Sequence, residues 1–259
     1  MYARHERAQS GAIIAVALGV VVLLAFVGAA LFIASLGSSE SESGADVYVS
    51  IGDSIAAGNG ASDAESSSFA ALLAARQEVS LFNLAKAGAT TDDVLSSQLA
   101  QALGPIQAGR ARFVTISAGG NDLAALIPNQ ACVEQPLPAS CPLAETLAGV
   151  RERLDAILRY IREANRRVPV VVLAYPNFFS GTGHAWEAPA GRVLPMLNEV
   201  IRHVAAGYER VAVAEPGPAF DGNGDDLTHV LDEQFDPHPN DAGHRAIADA
   251  FAQALQTVD

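Results

Sequence analysis

Four short stretches of the chain carry the residue types that an acyl-transfer reaction needs. Ser54 follows an apolar run in VYVSIGDSIAAGNG, where its neighbours are too small to cover its hydroxyl. Gly88 in NLAKAGATT, Asn121 in SAGGND and His238 in DPHPNDAGH also follow apolar runs or precede the last helical run. A serine nucleophile needs a base, and histidine titrates closest to neutral pH. The oxyanion needs fixed donors, which backbone and asparagine amides supply.

Each of these residues also fits an ordinary structural role when it is taken alone. Glycine and serine are common in turns, asparagine caps helices, and a histidine between prolines can simply belong to a loop. Their order along the chain, each beside the end of a predicted element, favours a shared site. We therefore predict Ser54 as the nucleophile and His238 as the base. Gly88 and Asn121 are the predicted oxyanion donors.

The apolar pattern predicts an alternation of strands and helices that would bring these residues together. Strand-like runs are Val47–Ile51, Val79–Ala85, Phe113–Ser117, Val168–Ala174 and Val211–Ala214. Helix-like runs are Ser68–Arg76, Thr91–Leu103, Leu143–Asn165, Arg192–Tyr208 and Asp241–Val258. This alternation predicts an α/β fold with a parallel five-stranded sheet between two helical layers. In such folds the chemistry lies at the carboxyl ends of the strands.

The N-terminal segment predicts a membrane anchor. The 24 residues from Gly11 to Ala34 include no charged or polar side chain. A membrane-spanning helix needs about 20 such residues, whereas a signal peptide has an apolar region of about 7 to 15. Arg4 and Arg7 precede the segment, and the positive-inside tendency places them in the cytoplasm. Whether the segment is cleaved is left open.

These features predict a single-pass protein of the cell membrane. We expect a cytoplasmic N-terminus at residues 1–10, a transmembrane signal anchor at 11–36 and a Ser/Glu-rich tether at 37–45. An extracytoplasmic hydrolase domain would follow at residues 46–259. The chain has a net charge of −13, which repels nucleic acid. Nucleic acid is therefore not an expected partner.

Cys132 and Cys141 are the chain's two cysteines. In an extracytoplasmic domain they predict a disulfide, with two free thiols as the alternative. No histidine near them suggests a metal site. The segment DGNGDD, residues 221–226, resembles the start of a calcium loop, but it lacks the loop's sixth-position glycine and final glutamate. We expect no metal and no cofactor, and we expect a monomer.

The sequence resembles the SGNH, or GDSL-type, family of serine esterases and lipases. The resemblance rests on GDSIAAG at residues 52–58, Gly88, GGND at 119–122 and DPHPN at 236–240. It implies a flavodoxin-like three-layer α/β/α fold. It also implies an oxyanion hole formed by the Ser54 amide, the Gly88 amide and the Asn121 side chain. The G-x-S-x-G elbow of α/β-hydrolases is not met, because Ala56 occupies its second glycine position.

The third catalytic residue departs from the family pattern. The family's acid usually lies three residues before the histidine, where this chain has Phe235. Asp236 is our preferred acid, because residues two apart in an extended chain face the same way. Their separation, at about 3.3 Å per residue, would require a bend at Pro237. Asp232 or a backbone carbonyl could orient His238 instead.

Together these features predict a membrane-anchored, extracytoplasmic hydrolase of carboxylic esters, of the esterase or lipase type. One alternative is an O-acetyl esterase acting on carbohydrates or the cell envelope. A different alternative is a catalytically silent binding module on the same fold. His184 and Trp186 could line the substrate pocket or belong to an ordinary loop. We expect structural roles for His229 and His244.

Overall fold

The computed structural model describes residues 46–124, 126, 132 and 140–258. The predicted N-terminus, transmembrane anchor and tether, residues 1–45, lie outside these described residues. Within the described ranges, no helix is both long enough and apolar enough to cross a membrane.

The predicted parallel sheet is confirmed. Its five strands run in the spatial order β2-β1-β3-β4-β5, and every neighbouring pair is parallel. They are β1 (Val47–Gly52), β2 (Ser80–Asn83), β3 (Ala111–Ser117), β4 (Val170–Leu173) and β5 (Val211–Ala214). β4 is buried along its whole length, as expected for a strand covered on both faces. β2 is an edge strand and is mostly exposed.

The helices of the described residues alternate with the strands. They are α1 (Ser54–Ala57), α2 (Phe69–Arg76), α3 (Thr91–Asp93), α4 (Leu99–Gln107), α5 (Gly120–Ala124), α6 (Leu143–Ala164), α7 (Glu187–Ala205), α8 (Gly217–Phe220), α9 (Gly224–Leu227) and α10 (Asp241–Leu255). α6 buries Leu147, Val150, Leu154, Leu158 and Ile161, the stripe that its helical spacing predicted.

The helices form two layers around the sheet. α2 and α10 pack together on one side, and α4, α6 and α7 pack on the other. The side chains of Tyr48, Ile116, Leu158 and Phe251 are fully buried in the resulting core. The three-layer α/β/α architecture predicted from the sequence is therefore present.

The strand order reverses between β1 and β3. From β1 the chain passes to β2 on one side, and it then returns to β3 on the other side. The carboxyl ends of β1 and β3 therefore border the topological switch point, where open α/β sheets bind their ligands. Ser54 follows β1 and Asn121 follows β3, so both lie at this point.

Three local features differ from the sequence prediction. The predicted helix Thr91–Leu103 contains a π-helical stretch, Val94–Gln98, between α3 and α4. α7 begins at Glu187, ahead of the predicted Arg192, and accommodates Pro195 inside it. A small antiparallel sheet of β6 (Thr228–His229) and β7 (Asp236–Pro239) was not predicted, because β6 is only two residues long.

Candidate active site

The nucleophile turn, residues 52–55, presents Ser54 at the end of β1. Asp53 caps the short helix α1, since its carboxylate accepts the backbone N–H of Ile55 at 3.0 Å. The side chain of Gln98, at the end of the π-helical stretch, binds both backbone groups of Gly52, at 2.7 and 2.8 Å. These bonds fix the turn from two directions and leave the Ser54 hydroxyl facing the site.

His238 lies beside the Ser54 hydroxyl. Its Nε2 is 2.8 Å from the Ser54 Oγ, and its Nδ1 is hydrogen-bonded to Oδ1 of Asp236. A carboxylate can only accept, so Nδ1 donates and Nε2 accepts the serine proton. The structure thus joins the three residues that we predicted as nucleophile, base and acid in one hydrogen-bonded chain.

The bond between Asp236 and His238 does not need the bend that we expected at Pro237. The same Asp236 oxygen also accepts the backbone N–H of His238 at 3.1 Å. Aspartate side chains commonly bind the backbone two residues onward in this way. The carboxylate therefore lies along its own strand, within reach of the ring. Asp232 instead binds Nδ1 of His229, at 2.6 Å, so it does not orient His238.

The predicted oxyanion donors lie in two adjoining turns. The Asn121 side-chain amide donates to the carbonyl of Ala89 at 2.9 Å, which ties the turn after β3 to the turn that carries Gly88. An asparagine amide has two protons, so a second donor remains available. In the described part of the chain, no acceptor binds the backbone N–H of Ser54 or Gly88.

Asp122 anchors the Asn121 turn from behind. Its buried carboxylate accepts the backbone N–H and the hydroxyl of Thr91, at 2.9 and 2.7 Å. Arg153 on α6 adds a charged hydrogen bond of 2.9 Å to the same carboxylate. Two layers of the fold therefore hold the backbone next to Asn121.

The loop after α1 lies against the strand that carries the base. Gly60 has a φ of +82°, and a Cβ there would lie 2.4 Å from the Pro239 carbonyl oxygen and 2.9 Å from Cβ of His238. Its carbonyl accepts a hydrogen bond from Nε2 of His229 at 2.9 Å. Only glycine permits this approach, which places His238 at its distance from Ser54.

A mostly apolar cavity of about 370 Å³ opens beside Ser54 and His238. Its volume falls in the range of about 300–1,000 Å³ that is usual for small-molecule pockets. Its polar wall includes Asp53, Asn121 and Tyr175. Its apolar wall includes Leu123, Leu126, Leu143, Phe178, Phe179, Trp186, Ala190, Val193, Leu194 and Phe235.

The secondary predictions have different outcomes. Trp186 lines the cavity, whereas His184 stacks against Phe179 and Phe235 at its rim. His244 is buried and accepts the backbone N–H of Phe69 at the start of α2, a structural role. Within the described ranges, no group of three His, Cys, Asp or Glu side chains could hold a metal ion.

The predicted disulfide is present between Cys132 and Cys141, whose Cα atoms are 5.0 Å apart. Both cysteines line the apolar cavity. The pairing therefore contributes directly to the wall of the candidate substrate site, a contact that the sequence did not indicate.

Comparison with known proteins identifies the family. A model of the GDSL-like lipase/acylhydrolase family matches residues 50–246. The chain belongs to this family. It is 31% identical over 205 residues to Lipase 1 of Streptomyces coelicolor, across 70% of this chain and 74% of that protein. As a GDSL-type enzyme, the protein is a carboxylic ester hydrolase.

Solved structures of GDSL-type enzymes have the same architecture. Phospholipase A1 from Streptomyces albidoflavus NA297 is 26% identical, with a TM-score of 0.60 over 83% of this chain and 100% of its own. An extracellular lipase from Streptomyces rimosus is also 26% identical, with a TM-score of 0.60 over 81% of this chain and 100% of its own.

Sequence reasoning missed the residues that support the site. Asp53 had a usable signal, since aspartate before a short helical run is a common N-cap. Gln98 and Tyr175 had none, because each lies in a run whose local pattern does not distinguish it. Their contacts with the nucleophile turn span 46 and 122 residues of sequence.

Proposed function

We propose that this ester hydrolase uses Ser54, His238 and Asp236 to cleave esters that have a sizeable apolar acyl group. The observation that carries the proposal is the hydrogen-bonded chain Asp236–His238–Ser54 at the mouth of the apolar cavity. Three side chains in this relation meet the geometric requirements for nucleophilic acyl transfer.

In the first half of the reaction, Ser54 Oγ attacks the acyl carbon while Nε2 of His238 takes the hydroxyl proton. Asp236 holds the Nδ1 proton and stabilises the imidazolium that forms. The carbonyl oxygen becomes an oxyanion, which accepts hydrogen bonds from the Ser54 and Gly88 amides and the Asn121 side chain. The tetrahedral intermediate then expels the alcohol, which receives its proton from His238.

In the second half, water attacks the acyl group on Ser54. His238 removes a proton from the water, and the same donors stabilise the second oxyanion. Collapse releases the carboxylic acid and returns the proton to Ser54. No step needs a metal or a cofactor.

The cavity supports an acyl chain rather than an acetylated sugar as the group next to Ser54. A sugar ring needs hydrogen-bonding partners for its hydroxyl groups. The described walls are instead mainly aliphatic and aromatic, and Leu123, Leu143, Val193 and Leu194 are among them. Burying an acyl chain there contributes about 0.8 kcal/mol per CH₂ group.

Replacement of the nucleophile tests the reaction itself. The wild-type protein should hydrolyse p-nitrophenyl esters and be labelled by a fluorophosphonate probe. Ser54→Ala should lose both properties while keeping its thermal unfolding transition. Near-wild-type turnover by this variant would refute the mechanism.

A cavity-filling variant tests the acyl group. Ala190 lines the cavity from α7, so Ala190→Trp should lower kcat/KM for long acyl chains far more than for acetate. Ala188 is exposed on the same helix, and Ala188→Trp is the matched control. If acetylated sugars are the best substrates and Ala190→Trp leaves chain-length preference unchanged, the O-acetyl esterase alternative is correct.

We also propose that the enzyme acts as a monomer, anchored in the cell membrane by residues 11–36 with its catalytic domain outside the cytoplasm. The 24-residue apolar segment and the paired cysteines support this topology. All groups of the site come from one chain, which supports a monomer. The full chain should resist extraction from membranes by alkaline carbonate, and external protease should reach the catalytic domain on intact cells.

A further inference from the structure

A buried hydrogen bond lies directly behind the nucleophile. The hydroxyl of Tyr175, the second residue after β4, donates to Oδ2 of Asp53 at 2.5 Å. The other carboxylate oxygen accepts the hydroxyl of Ser117, at the end of β3, at 2.8 Å. Asp53 is 2% exposed, so these partners replace solvent around a carboxylate next to Ser54.

Tyr175 also contacts the turn that carries Asn121. Its ring lies so close to Gly120 that a Cβ there would be 2.7 Å from the ring's Cε1. The Gly120 backbone lies within hydrogen-bonding reach of the same hydroxyl. One side chain thus touches the residue before Ser54 and the residue before Asn121.

α7 fixes the position of Tyr175 from the other side. The Asn198 side chain accepts the backbone N–H of Tyr175 at 2.8 Å and donates to its carbonyl at 2.9 Å. This pair of bonds sets where the tyrosine enters the site. Burial raises the pKa of the Asp53 carboxyl, and burial with the neighbouring Asp53 raises that of the Tyr175 hydroxyl.

We propose that Tyr175 is a positioning residue that sets the distance between the nucleophile and the oxyanion donor Asn121. It does so through Asp53 on one side and Gly120 on the other. The inference rests on the proposed roles of Ser54 and Asn121. Its physical basis is that oxyanion donors act only when they are aimed at the place where charge develops, so a small displacement costs rate.

The test is Tyr175→Phe, which removes one hydroxyl and keeps the ring against Gly120. We expect kcat to fall about tenfold or more with KM nearly unchanged, because the oxyanion forms only after substrate has bound. Tyr48→Phe is the matched control. Tyr48 is also fully buried, and its hydroxyl also makes one hydrogen bond, to Thr115 at 2.6 Å, but it does not contact the site.

A double-mutant cycle separates positioning from general stability. If Tyr175 acts by placing Asn121, its effect on kcat should largely disappear in an Asn121→Ala background. A merely structural role predicts equal losses in both backgrounds, and that result would overturn the proposal. So would a kcat for Tyr175→Phe equal to that of Tyr48→Phe.

A second variant covers the case in which Tyr175→Phe does not fold. Asn198→Ala leaves every atom next to Ser54 and Asn121 in place but releases the backbone of Tyr175. It should lower kcat without raising KM, again with little effect in the Asn121→Ala background. If both variants behave like the wild type while Ser54→Ala is inactive, this inference fails and the proposed function stands.

Discussion

The nucleophile turn, residues 52–55, and the histidine strand β7, residues 236–239, are held in different ways. The turn is bound by side chains from three other elements, Gln98, Ser117 and Tyr175. β7 pairs only with the short β6, and the Asp236 side chain is 41% exposed, against 2% for the whole residue Asp53. The nucleophile is thus fixed by the core, whereas the base depends on local bonds.

This difference suggests how the site divides its work. The nucleophile and the oxyanion donors must keep a fixed geometry, which a buried network provides. The base must transfer a proton in both directions, and its aspartate remains accessible to water. Local stability in proteins varies in this way between buried and exposed segments. Mutations in the two regions should therefore have different signatures.

The largest effect should come from the local bond on the histidine strand. Asp236→Asn should lower kcat by up to about 10⁴-fold, because an amide favours the wrong imidazole tautomer. Its thermal unfolding should change little. Asp232→Asn is the control, since Asp232 binds His229 instead of His238. Equal, small losses from both substitutions would mean that His238 does not depend on a carboxylate.

The next effect concerns the donors near the nucleophile turn. Asn121→Ala should lower kcat by about a hundredfold or more, with a smaller change in KM, because this donor acts on the developing oxyanion. Steady-state kinetics with one p-nitrophenyl ester will measure both constants. A variant changed only in KM would assign Asn121 to ground-state binding.

A matched pair of variants compares the stability of the two regions. Gln98→Ala removes the Gly52 N–H partner inside the core and should lower the free energy of unfolding by about 1–3 kcal/mol. His229→Ala also removes two hydrogen bonds, but its side chain is 32% exposed, so the loss should stay below about 1 kcal/mol. Denaturant titration will measure both. Equal losses would contradict the contrast between the regions.

The smallest effect is a pH dependence of opposite sign at two structural histidines. Burial lowers the pKa of His244, so its contribution to stability is complete above about pH 6.5 and falls as the pH drops through the folded pKa. The Gly60 carbonyl and Asp232 raise the pKa of His229. Its contribution is complete below that pH and is lost as the pH rises through the folded pKa.

Thermal unfolding from pH 5 to 8 will separate the two histidines. His244→Gln should reduce the loss of Tm on acidification, and His229→Gln should reduce the loss toward pH 8. If each variant shows the opposite trend, the protonation states inferred from the hydrogen bonds are wrong.

The sequence was sufficient for the parallel sheet and for the grouping of Ser54, Gly88, Asn121 and His238. Each follows a strand or precedes the last helix, and parallel strands bring such positions to one edge. It also favoured Asp236, although through a bend at Pro237 that the carboxylate does not need. The bond within this short segment was therefore predictable in its partners but not in its geometry.

The supports of the nucleophile turn could not be predicted in the same way. Tyr175 reaches Asp53 across 122 residues, and Gln98 reaches Gly52 across 46. Such contacts depend on how the layers pack, which the local periodicity of a single sequence does not encode. The lining of the cavity by the disulfide escaped prediction for the same reason.

Gly60 offers a way to switch the enzyme off without changing any reacting atom. Any side chain at this position would press on the Pro239 carbonyl and on His238, and would move the base away from the serine. Gly60→Ser would thus yield an inactive protein that keeps its nucleophile, its oxyanion donors and an open cavity. Such a variant could hold an intact ester for crystallography, where Ser54→Ala would lack the attacking group.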